Sequence, residues 1–136
     1  MGIEPFLVSS SVNLVLAQRL VRRVCNACRQ PITLNDEVLA ELQLDPEEAK
    51  HATFFEGEGC VECSNTGYRG RQGVYEVMTL SPKLRDLVLE RSSANEIKRV
   101  AISEGMLTLR RDALEKLKRG ITTVEEVLKE TAADKL

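Results

Sequence analysis

Two short cysteine pairs constrain this chain more than anything else in it. Cys25-Asn26-Ala27-Cys28 and Cys60-Val61-Glu62-Cys63 contain all four cysteines. Two intervening residues allow both sulfurs of a tight turn to face one point, and two such turns brought together complete a tetrahedral set of thiolates. The fold must therefore bring residues 25–28 against residues 60–63. Four sulfur ligands leave no position for a water to activate, so the spacing points to one structural Zn2+ on Cys25, Cys28, Cys60 and Cys63, not to a catalytic metal.

The compartment bears on that reading. The start Met1-Gly2-Ile3-Glu4-Pro5 lacks a basic region before an apolar one, and no apolar run approaches the roughly 18–20 residues that cross a bilayer. A reducing, cytoplasmic setting is expected, where paired cysteines read as metal ligands before disulfides. Dithiol redox chemistry is the rival. A reactive C-x-x-C thiol sits at a helix N-terminus, where the dipole favours the thiolate, whereas here Cys25 is expected to end a helix and Cys60 follows Gly59 in a turn.

Around the cysteines the pattern predicts an α+β fold, mainly helical. Aromatics make up 4% of the residues against 43% hydrophobic overall, so the core should be aliphatic. Ser9-Ser10-Ser11 offers caps for a helix over about 11–24, with Val12, Leu14, Val15, Leu16, Leu20, Val21 and Val24 on a broad apolar face. Between the cysteine pairs, Asn35 and Asp45-Pro46 open two short helices. Phe54 to Glu56 and Gly73 to Met78 read as strands flanking the second metal turn, giving a zinc-ribbon-like hairpin, with Gly67 and Gly70 supplying positive φ. Ser81-Pro82, Ser93-Ala94-Asn95-Glu96, Met106 to Arg119, and Thr122-Thr123 then mark four helices of a small C-terminal domain. The expected division is 1–24, 25–80 and 81–136.

Several function classes drop out. There is no G-x-x-x-x-G-K-S/T loop and no G-x-G-x-x-G, so nothing here cradles nucleotide phosphates in a known way, and the chain is not expected to be an enzyme by itself. His51, the single histidine, falls near the end of a short helix and is read as an ordinary capping or surface residue. Arg19, Arg22, Arg23 and Arg29 make the early segment basic, which balances a thiolate-bound zinc carrying about two net negative charges. A nucleic-acid-binding zinc ribbon using Arg19, Arg22, Arg23, Arg69 and Arg71 is the alternative of another class. The overall charge of -2 and the scarcity of stacking aromatics disfavour it. Arg110, Arg111, Lys116, Lys118 and Arg119 fit a solvated helix face.

Longer stretches carry a resemblance. Leu16-Ala17-Gln18-Arg19-Leu20-Val21-Arg22-Arg23 precedes the first pair, and Gly59-Cys60-x-x-Cys63-x-x-Thr66-Gly67-Tyr68-Arg69-Gly70-Arg71-x-Gly73-Val74-Tyr75-Glu76 contains the second. Gly105-Met106-x-Thr108-Leu109-Arg110-x-Asp112 and Gly120-Ile121-Thr122-Thr123-Val124-Glu125-Glu126-Val127-Leu128 follow. Together these resemble the C-terminal part of the type IV pilus assembly and type II secretion ATPases. The resemblance implies that residues 1–24 finish a RecA-like ATPase core, that Met1 is an internal start, and that the Walker segments binding ATP and Mg2+ lie upstream. It further implies a cytoplasmic homohexamer, peripheral to the bacterial inner membrane, working with an inner-membrane platform protein. Ser93-Ala94-x-Glu96-Ile97-Lys98 looks more like the pilus branch than the secretion branch.

Overall fold

In the computed structural model, residues 13–134 are described; the serine caps and the apolar residues before them fall outside that range. Four strands, β1 (Asn13–Val24), β2 (Arg29–Ile32), β3 (Phe54–Gly57) and β4 (Tyr68–Thr79), accompany six helices. These are α1 (Asp36–Leu42), α2 (Pro46–Lys50), α3 (Pro82–Leu89), α4 (Ala94–Ser103), α5 (Leu109–Lys118) and α6 (Val124–Glu130). The α+β class stands.

The leading segment is a strand, not the helix its periodicity suggested. β1 runs antiparallel to β4, with Val21 opposite Gln72 and Val24 opposite Tyr68, and the register shifts between Val15 and Ala17 and between Arg22 and Val24. The ladder with β4 supplies backbone partners that a helix would otherwise provide internally, and tertiary pairing overrides the moderate helix preference of Leu, Ala, Gln and Arg. The expected hairpin is corrected too. β3 pairs with β2, where Ile32 faces Phe54 and Arg29 faces Gly57, while β4 pairs with β1. The second cysteine turn thus connects two different sheets. It lies where the ends of both ladders converge.

Local capping signals set the helices as expected. Asn35 accepts from the Val38 N–H, Asp45 from Glu47, Ser81 from Leu84, Ser93 from Glu96 and Thr123 from Glu126. Each satisfies an N–H that the first helical turn leaves open. α5 starts later than Met106, because Thr108 caps it by accepting from the Arg111 N–H.

The four C-terminal helices do not form a bundle of their own. α5 and α6 contribute Ala113, Leu114, Leu117 and Val127 to a core shared with Val21 and Val74 of the β1–β4 ladder, Leu39, Leu42 and Leu44 around α1, and Phe54 of β3. α3 and α4 make a second cluster, in which Leu84 and Ala101 pack with Met78 at the end of β4. None of these helices exceeds 10 residues, so each depends on a neighbour for stability. For α5 and α6 those neighbours include the strands, and α3 and α4 lean chiefly on each other.

Candidate metal centre

Each cysteine pair sits on a turn that leaves the end of a strand. β1 delivers Cys25, and the turn through Asn26 and Ala27 returns into β2 at Arg29. The second turn follows β3 and is wound by hydrogen bonds from the Ser64 N–H to Val61 O (3.2 Å), from the Asn65 N–H to Cys60 O (2.8 Å) and from the Thr66 N–H to Cys63 O (3.1 Å). The Thr66 hydroxyl donates to Cys63 O at 2.7 Å and accepts from the Tyr68 N–H at 3.2 Å, which pins the exit into β4. Two further bonds join the turns: the Cys25 N–H donates to Gly67 O at 2.9 Å, and the Glu58 N–H to Cys28 O at 3.2 Å. Backbone, not side-chain packing, registers one pair against the other.

Two glycines are required by that register. A Cβ on Gly57 would stand 2.2 Å from Gly67 O, and one on Gly67, whose φ is +82°, would stand 2.7 Å from Gly57 O. The expectation for Gly67 therefore holds, and its N–H donates to Cys63 Sγ at 3.2 Å. Gly70 also has positive φ, but it lies within β4 beside the Arg23 side chain and donates to no sulfur.

The structure brings together all four predicted ligands. Their Sγ atoms lie within 4.8 Å of one another, with Cys25 to Cys60 at 3.8 Å, Cys28 to Cys63 at 3.8 Å and Cys60 to Cys63 at 3.7 Å. A disulfide needs about 2.05 Å, and all four cysteines are free. A tetrahedral ion with metal–sulfur bonds of about 2.3 Å has sulfur–sulfur edges of about 3.8 Å, the separation seen in these three pairs. The donor set fits a thiophilic tetrahedral ion.

Polar surroundings differ among the four sulfurs. Cys63 Sγ accepts N–H bonds from Cys60 and Gly67, each at 3.2 Å, and Cys28 Sγ accepts one from Gly59 at 3.3 Å. Burial pushes the Cys28 thiol up to about 12, only partly offset by the Gly59 amide. For Cys63 burial also acts upward, but the amides of Cys60 and Gly67 and the neighbouring thiols outweigh it and bring the group down to about 6. The amides that bring Cys63 down favour its thiolate, the form in which sulfur ligates a metal. Neither pair stands at a helix N-terminus, since Cys25 follows a strand. The helix dipole that lowers a redox C-x-x-C thiol is therefore missing, and two amides lower Cys63 in its place.

The site is braced against the end of the chain by contacts that motif reading did not predict. The Arg22 guanidinium lies 3.9 Å from the centroid of the Tyr68 ring, and its Nε donates to Glu126 Oε1. The Arg22 N–H donates to Glu126 Oε2 at 3.2 Å, Thr122 Oγ1 donates to Arg22 O at 2.8 Å, and the Val24 N–H donates to Ile121 O at 2.9 Å. Tyr68 OH bonds Thr123 Oγ1 at 2.8 Å. Glu126 is 1% exposed, and its bond to Arg22 raises the arginine's pKa. The only signal for this brace was the acid three residues after Thr123, which reads as a capping box.

Other basic residues are similarly occupied. Arg69 pairs with Glu62 at 2.8 Å, Arg111 and Lys118 with Glu48, and Lys116 with Asp112 at 2.9 Å. Arg110 is buried, not on a solvated face: it donates to Thr131 Oγ1, Thr131 O and Glu41 O, and burial lowers its pKa. None of these pairs involves the sulfur cluster; within the basic early segment Arg22 is engaged by Glu126 and the Tyr68 ring, and Arg29 lies 4.4 Å from the centroid of the Phe55 ring. A cleft of about 490 Å³ lined by Tyr75, Val77, Leu84, Met106, Asp112 and Lys116 shares no residue with the thiols. His51 ends α2 as its C-cap. Among the described residues no helix is long and apolar enough to cross a membrane.

Comparison with known proteins matches residues 1–129 to the family described as Type II/IV secretion system protein. The type IV pilus assembly ATPase PilB of Myxococcus xanthus is 46% identical over 136 residues, covering 99% of this chain and 24% of that protein. PilB of Thermus thermophilus is 44% identical over 131 residues, 96% of this chain and 15% of its own length. The type II secretion system protein E of Pseudomonas aeruginosa is 46% identical over 131 residues, 96% of this chain and 26% of its own length. The chain thus spans about a quarter or less of the relatives it matches.

Proposed function

From the premise that this chain belongs to the Type II/IV secretion system protein family, we propose that it is the non-catalytic, C-terminal zinc-binding portion of a hexameric ATPase that powers type IV pilus assembly. The observation that carries the metal reading is the closed set of four sulfurs with edges of 3.7 and 3.8 Å. Cys25, Cys28, Cys60 and Cys63 would hold one Zn2+, which supplies a cross-link between the end of β1 and the start of β4 and no open coordination position. The residues around it orient the sulfurs through amides and exclude water from Cys25, Cys28 and Cys63.

The division into 1–24 as the end of the ATPase core, 25–80 as the metal module and 81–136 as closing helices is kept as part of this reading. All three segments contribute to one core, the first through Val21. An uncovered apolar surface supports the first assignment: Val15, Leu16, Leu20, Tyr75 and Val77 are exposed on the β1–β4 ladder. That surface is of the kind a larger protein would cover. In the longer protein, ATP and Mg2+ would bind outside this chain. Neighbouring subunits of the hexamer and an inner-membrane platform protein would be its partners, on the cytoplasmic side of the membrane. A type II secretion ATPase is the second reading, favoured by the equal identity to the Pseudomonas protein. A nucleic-acid role is weakened because Arg22 and Arg69 are engaged with Glu126 and Glu62.

The experiment that tests the non-catalytic assignment is incubation of the purified, metal-loaded chain with Mg-ATP. No nucleotide binding and no phosphate release are expected. Turnover above the buffer blank by this chain alone would contradict it.

A further inference from the structure

We propose that Cys60 is the chemical entry point of the metal centre, the ligand sulfur at which electrophiles and peroxides react first and through which the metal is released. The inference rests on the zinc reading above. With the metal bound all four sulfurs are thiolates, so their relative reactivity is set by exposure and by how far their lone pairs are already engaged. Cys25, Cys63 and Cys28 are 1%, 6% and 8% exposed, whereas Cys60 is only half-buried. Amide N–H groups point at Cys63 and Cys28. Among the described residues none is donated to the sulfur of Cys25 or Cys60.

An N–H donor draws electron density from a thiolate and reduces its nucleophilicity, as any stabilisation of the anion does. Cys25 is free of such donors but sealed from solvent. Cys60 alone combines an undamped sulfur with access. Its approach is open as well: Val61 is 95% exposed, and the Glu62 carboxylate beside it is turned outward to Arg69.

With hydrogen peroxide the Cys60 thiolate attacks one oxygen, the O–O bond breaks and hydroxide departs, leaving a sulfenic acid. A neighbouring thiolate, Cys63 at 3.7 Å or Cys25 at 3.8 Å, then attacks that sulfur, the S–O bond breaks and the second oxygen leaves as hydroxide, which takes a proton from solvent. Two thiolates have lost two electrons, the peroxide has gained them, and a disulfide has formed. Two thiolates remain, too few for a structural site, and the ion leaves as Zn2+ with its charge unchanged. An alkylating agent reaches the same end by forming a carbon–sulfur bond at Cys60 as its halide departs.

The test uses the zinc-loaded full chain and half an equivalent of iodoacetamide, with adducts located by peptide mass spectrometry and released metal followed with a chromogenic chelator. A parallel sample receives hydrogen peroxide. Cys60 should carry several-fold more of the first adduct than any other cysteine, and metal should appear in step with it. An even spread, or a first adduct on Cys25, Cys28 or Cys63, overturns the proposal while leaving the zinc reading intact. A chain found without metal before any reagent is added overturns both.

Discussion

Replacing Glu126 with alanine removes the carboxylate that ties the last helix to the strand leading into the metal turn. Its side chain is 2% exposed and receives two donors from Arg22, the guanidinium Nε and the backbone N–H. Losing one partner of a fully buried ion pair costs about 3–5 kcal/mol, but the Arg22 side chain is 39% exposed and can rehydrate. Hydrogen bonds to a charged group contribute about 1.5–3 kcal/mol, and the Arg22 N–H donates to Glu126 Oε2. The expected loss is therefore about 2–3 kcal/mol for Glu126→Ala, and about 1 kcal/mol for Glu126→Gln, which keeps one acceptor and the shape. Urea unfolding with zinc in excess gives the value from the midpoint at constant slope. Arg22→Ala and the double variant complete a cycle whose coupling should be about 1–2 kcal/mol. A loss below about 0.5 kcal/mol for Glu126→Ala, the range of ordinary surface changes, would refute the bracing argument.

Gly57→Ala should weaken metal retention, since the new Cβ meets Gly67 O at 2.2 Å and must separate the two turns; competition with a chelator should show faster and more complete zinc loss than in the parent. Leu117→Ala, at a fully buried position in the core shared by α5 and the strands, should cost about 2–5 kcal/mol in the same urea assay, and a near-neutral result would mean that α5 is not anchored there. The Lys118 bond, opposed by modest burial and aided by Arg111, holds the Glu48 carboxylate below its ordinary value. Its contribution is full above the unfolded carboxylate range and disappears as pH falls through the lower folded value. Because the pair is partly exposed, Glu48→Gln should cost only about 0.5 kcal/mol at neutral pH, and nothing in acid below both values.

The local features were legible in the sequence, and the long-range ones were not. Asn35, Asp45-Pro46, Ser81, Ser93 and Thr123 announce helix starts because a cap is decided by residues three apart. The cluster of four cysteines was legible because the C-x-x-C spacing and the residue type point all four sulfurs to one place. β1 was misread because Leu14, Val15, Leu16, Leu20, Val21 and Val24 satisfy a helical stripe, while the feature that makes them a strand is β4, whose ladder partners begin at Tyr68. Two register shifts also break the period-2 alternation that would have revealed it. Arg110 reads as a solvated charge and Glu126 as a capping acid, since nothing near them in sequence shows that Thr131, Glu41 and Arg22 converge on them.

Metal content with stability tests the central claim most directly. The purified chain should contain one zinc per molecule, with thiols that react much more slowly with a thiol reagent than after chelation, and chelation should expose all four and abolish cooperative thermal unfolding of the module. The expected scale is large, because structural zinc sites contribute about 10–16 kcal/mol of apparent binding free energy at neutral pH. A chain that is free of metal, reacts at all four thiols and still melts cooperatively at an unchanged temperature would contradict the account.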